Sequence, residues 1–180
     1  MTVTCTIPET DIEKTATSGK RPPPLTLNLF LDELRKNSGD ELALLAEQTI
    51  QEAPAHGLYV HLLKTGAAIR FEDEDSSEVF IFGNIGKDGK LQSYGLICEE
   101  CVDLKIPRKI WQSYYDAVVA LIPGSKSVPW PKQPGLDWVA DENGDDWPSA
   151  APLLRNREQW FKVIEDTVDQ IRPLLTKASK

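Results

Sequence analysis

The sequence predicts an α+β fold. Apolar residues recur at helical spacing near both ends of the chain, the middle changes to short runs of strand period, and Asp88-Gly89 sits as a turn between two of those runs. With 180 residues, 41% of them hydrophobic and 27% charged, the chain has the size and composition of one ordinary globular domain.

Residues 1–24 are rich in Thr, Pro, Lys and Glu and end in Arg21-Pro22-Pro23-Pro24, a stretch that favours extended backbone. They read as a disordered or loosely attached arm ahead of a single domain at 25–180. From Leu25 the pattern turns helical, with Leu27, Phe30, Leu31 and Leu34 on one face before Asn37-Ser38-Gly39. Ser38 and Glu41 match a capping box, and Leu42, Leu45, Ala46, Thr49 and Ile50 share a face before Pro54. An N-terminal helical hairpin follows from these two segments.

Four runs then read as a four-stranded antiparallel meander: Leu58 to Lys64, Ala67 to Glu72, Glu78 to Ile85 and Leu91 to Val102. Asp88-Gly89 supplies the positive φ values of a tight hairpin between the third and fourth. Pro107 suits the first turn of a helix whose face is Ile110, Trp111, Tyr114, Val118, Leu121 and Ile122. The final helix carries Trp160, Ile164, Val168, Ile171 and Leu175 as a stripe, with Asn156 and Gln159 as its capping pair and Pro173 expected to distort its end. The expectation is that these two C-terminal helices pack on the sheet.

Between them lies 123–152, with six prolines, Trp130, Trp138, Trp147 and the run from Asp141 to Asp146. A structureless connection of this length is uncommon inside a compact domain unless it has a function or is disordered. The three tryptophans favour order.

Candidate chemistry is sparse. Cys98-Glu99-Glu100-Cys101 has the spacing of two metal-gripping or redox thiolates, yet it is half a site: only His56, His61 and Cys5 remain as further ligands, and the two glutamates disfavour thiolates. The expectation is no metal, with Cys98 a small apolar residue at a strand end and Cys101 incidental. Neither histidine stands in a recognisable catalytic signature. Gly83 to Lys90 fails the phosphate-loop spacing and joins two strands. If Gly144 were the sixth position of a calcium loop, Val139 and Ala150 would hold the first and twelfth, and neither can ligate. No cofactor is expected.

Two functional readings remain. A net charge of −8 opposes binding to nucleic acid and favours encounter with basic partners, while tryptophans on a proline-stiffened loop suit a protein interface. The leading expectation is therefore a non-enzymatic protein-binding module, such as an inhibitor or immunity-type protein. Its surface would be Trp130, Trp138 and Trp147 with Asp141, Glu142, Asp145 and Asp146. The alternative is a metal-dependent hydrolase or nuclease in which Glu78 and Asp103 bind Mg²⁺ and Lys105 positions a water. With no apolar run of signal or membrane-spanning length, a cytoplasmic location is expected and no membrane partner.

Overall fold

The computed structural model describes residues 25–93 and 96–178, so the predicted arm at 1–24 lies outside the described residues. Helix α1 (Leu27–Ser38) starts where the Thr26 hydroxyl accepts the Leu29 N–H at 3.2 Å, and it buries Phe30, Leu31 and Leu34. It stops at Gly39, whose φ of 92° opens the corner into α2 (Asp40–Glu52). The helical hairpin is thus present, but the Ser38–Glu41 capping box is not. Ser38 closes α1 and its hydroxyl donates to the Asp88 carbonyl at 2.9 Å, while Glu41 accepts from Arg155 at 2.7 Å. Both residues tie the hairpin to later parts of the chain. A short 3-10 turn, Ala53–His56, then leads into the sheet.

Strands β1 (Tyr59–Leu62), β2 (Gly66–Glu72), β3 (Val79–Gly86) and β4 (Leu91–Gln92) form an antiparallel sheet in sequential order. Ala67, Ile69 and Phe71 alternate into the core, as period-two geometry requires. Ile69 faces Gly83 while Arg70 faces Ile81, so Phe82 is one extra residue that bends β3. The β3–β4 turn needs positive φ only at Gly89, at 82°, and closes through Gly86 N–H to Lys90 carbonyl at 2.8 Å. That is a turn closed by a bulge, with positive φ at Gly89 alone in place of the values expected at both Asp88 and Gly89.

The fourth strand is a correction. Pairing ends after Gln92, and Leu96–Asp103 is a helix, α3, beside β3. Ile97, Cys98 and Cys101 are buried at helical spacing, so one apolar run served a helix where a strand was read. Helix α3 ends in a Schellman arrangement: Ile106 N–H donates to the Cys101 carbonyl at 2.7 Å and Lys105 N–H to the Val102 carbonyl at 3.1 Å. Lys105 takes the left-handed position at φ 56°.

Helices α4 (Arg108–Leu121) and α6 (Arg157–Ala178) pack on each other, with Pro107 just outside α4. Trp160 of α6 lies so close to the sheet that a Cβ on Gly83 would stand 2.6 Å from its ring. The predicted Asn156–Gln159 capping pair does not form, because the Asn156 amide donates to the Pro152 carbonyl at 2.9 Å. Helix α6 also continues through Pro173 to Ala178.

The connection at 123–152 is structured. Within it β5 (Lys126–Pro129) and β6 (Asp137–Ala140) form a two-stranded antiparallel ladder, and α5 (Ala151–Arg155) precedes α6. Strand β6 is buried along its whole length, and the Ser93 hydroxyl both donates to the Val139 carbonyl at 2.8 Å and accepts its N–H at 3.0 Å. Among the described residues no helix is long and apolar enough to cross a membrane.

Candidate functional site

The segment that follows β6 is shaped by one side chain. Asp141 Oδ1 accepts the backbone N–H groups of Asn143 at 3.1 Å, Gly144 at 2.9 Å and Asp145 at 3.4 Å. The Asp141 N–H donates to the Asp146 carbonyl at 2.7 Å, closing the loop on itself. Desolvation works against ionisation of this carboxyl, but the backbone N–H donors outweigh it and hold Asp141 below the usual carboxylate range. It is therefore a structural anion.

Asp146 is held low chiefly by a hydrogen bond from Lys90 and next by the Trp147 N–H at 2.7 Å. The Lys90 ammonium is raised by the same contact. This pair ties the loop to the β3–β4 turn, as do Leu91 N–H to Pro148 carbonyl and Ala150 N–H to Gly89 carbonyl, each at 2.9 Å. Two carboxylates of the run, Glu142 and Asp145, are exposed and in no ion pair with a described residue.

The tryptophans divide. Trp138 is 2% exposed and belongs to the interior, because it stands on the buried strand β6, which corrects its expected place on an exposed surface. Trp130 and Trp147 are half-buried, and Trp130 packs on the core from the turn between β5 and β6. Beside the loop lies a cleft of about 310 Å³ between Ile122, Pro123, Pro148 and Pro152, with Asp141 and Glu142 on its rim.

Comparison with protein-family models, curated proteins and solved structures gives no match. Function rests on the residues themselves.

The remaining candidates lie on separate elements. Glu78 precedes β3, its N–H donating to the Ser76 hydroxyl at 3.3 Å; Asp103 ends α3, where a strand end was expected; Lys105 follows at the left-handed position. Among the described residues no three His, Cys, Asp or Glu side chains meet where a metal ion could sit. Cys98 and Cys101 are both fully buried on α3, which corrects the strand-end placement of the first. Cys98 Sγ lies 3.2 Å from the Tyr115 hydroxyl, and burial with the Glu100 charge pushes the Cys101 thiol to about 12. These are inert neutral thiols.

Some side-chain contacts had no local signal in the sequence. His56 Nδ1 lies 2.7 Å from Glu165 and its ring stacks on Phe161 at 4.4 Å, while Arg157 grips Glu52 through two nitrogens at 2.7 and 2.9 Å. Both pairs join the 3-10 turn region to α6 across more than a hundred residues of chain. His61 is exposed on β1.

Proposed function

We propose that this chain is a non-enzymatic protein-binding module, of the inhibitor or immunity type, that engages a basic protein partner inside the cell. The loop from Asp141 to Trp147 is the contact surface, with Trp130 contributing from the turn at the other end of the β5–β6 ladder. The observation that supports this reading is the loop's construction: the Asp141 carboxylate accepts the backbone N–H groups of its own loop and fixes its shape, and Glu142 and Asp145 are left facing solvent next to the half-buried Trp147. A loop ordered in advance loses little conformational entropy on binding, and aromatic anchors beside unpaired charges give both affinity and fast encounter.

Site-specific photo-crosslinking tests the proposal. A crosslinker at Asp145 is expected to trap one dominant basic protein in cells, while the same group at Leu44, exposed on α2, traps none of it. Loss of the product on Glu142→Lys is the accompanying expectation. Equal capture from both positions contradicts the reading.

A further inference from the structure

We infer that α3 is a pH-gated element, docked against β3 and α4 while the Glu100 carboxyl is neutral and loosened when that carboxyl ionises, so that the thiols of Cys98 and Cys101 become accessible. The geometry carries this. Glu100 Oε2 is buried and has no hydrogen-bond partner among the described residues. An ionised carboxylate offers only acceptors, and a buried acceptor without a donor costs the full desolvation of that oxygen, more for a charged group than a neutral one. The docked helix therefore favours the protonated form.

The surroundings reinforce this preference. On α3 itself Glu99 and Asp103 are like charges beside Glu100, and Glu100 in turn raises Cys101. Strand β3, against which α3 lies, contributes no titratable side chain from Val79 to Gly86. From α4, Tyr115 is engaged with the Cys98 thiol, and Arg108 donates to Asp137 at 2.9 Å. From β2 comes an opposing cation, Arg70, whose Nε is itself buried without a hydrogen-bond partner and which forms no ion pair with Glu100 among the described residues. Burial first, then Glu99 and Asp103, raise the carboxyl to about 7 against the opposition of Glu100's own backbone N–H and Arg70.

The sign follows from linkage. The docked state holds its proton more tightly than the open state, whose carboxyl titrates near 4.5. Docking is strongest below that value, weakens as pH rises toward about 7, and is weakest above it. Local opening of one short helix can occur without unfolding the rest.

Pulsed N-ethylmaleimide labelling of the full chain, read separately at Cys98 and Cys101 by mass spectrometry, tests the gate. Rates are divided by those of the guanidinium-unfolded chain, which removes the intrinsic pH dependence of the thiols. The normalised rate is expected to rise about 30-fold from about pH 5.5 to pH 8.5 and to stay flat in Glu100→Gln. A flat wild-type profile, or the same rise in Glu100→Gln, overturns the inference. Hydrogen exchange of the wild type, expressed as protection factors so that the intrinsic base-catalysed rise with pH is removed, supplies a readout that needs no variant: protection lost only over 96–103 at the higher pH supports the gate, and a loss shared equally by α6 overturns it.

Discussion

The indole N–H of Trp160 donates to the Tyr114 hydroxyl at 3.0 Å, and that hydroxyl donates onward to the Phe82 carbonyl. Tyr114 is 1% exposed and Trp160 fully buried, so the chain of bonds joins α6, α4 and the bulge of β3 inside the core. Burial raises the Tyr114 phenol well above its ordinary range, which keeps it a donor at every working pH.

Tyr114→Phe therefore strands a buried indole donor and a buried carbonyl together. Each costs about 1–3 kcal/mol when unpaired, so a loss of roughly 2–4 kcal/mol is expected in chemical denaturation. Trp160→Phe, which also leaves a gap over Gly83, is expected to cost at least as much.

Lys105 occupies a left-handed position at φ 56° where the Schellman geometry suits glycine. Its side chain is exposed. Lys105→Gly is expected to raise stability by about 0.5–1 kcal/mol, because relief of the Cβ clash exceeds the extra entropy of the unfolded chain. The midpoint of a denaturant titration reads this, with an unchanged slope.

The hydrogen bond from Arg157 lowers the Glu52 carboxyl below its usual value. A depressed carboxyl contributes stability that is present above about 4.5 and fades as pH falls through the lowered folded value. The Glu52 side chain is 40% exposed, so Glu52→Gln is expected to cost only about 0.5 kcal/mol at neutral pH. The difference between the two melting temperatures should close as the scans move below pH 4 or so.

Where period and turn chemistry agree, the fold was legible in advance. The stripe Phe30-Leu31-Leu34 and the alternation Ala67-Ile69-Phe71 left one solution each. The run after Leu91 did not, because short apolar stretches fit a buried strand and a buried helix alike; only the spacing of Ile97, Cys98 and Cys101 marked α3. Strand β6 was hidden by its flanking prolines, although Asp137 to Ala140 pairs residue for residue with Lys126 to Pro129. Capping motifs misled twice. Ser38 and Asn156 found carbonyl partners, one of them fifty residues away, and tertiary contacts of that kind leave no local trace.

The candidate surface was legible in its acids and less so in its tryptophans. Nothing in the spacing of Trp138 said that its strand would be covered on both sides, whereas Asp141 followed two residues later by Asn143-Gly144 is the composition of a self-bonded turn.

The most direct test of the proposed function is calorimetric titration of the crosslinked partner, once purified, against wild type and the Glu142→Lys/Asp145→Lys double variant. The two side chains are exposed and in no described ion pair, so the fold should tolerate the change. Affinity for the basic partner is predicted to fall by about 100-fold or more, with the wild-type interaction weakening as salt rises. An unchanged dissociation constant in a double variant with the wild-type melting temperature would contradict the assignment of this loop as the binding surface.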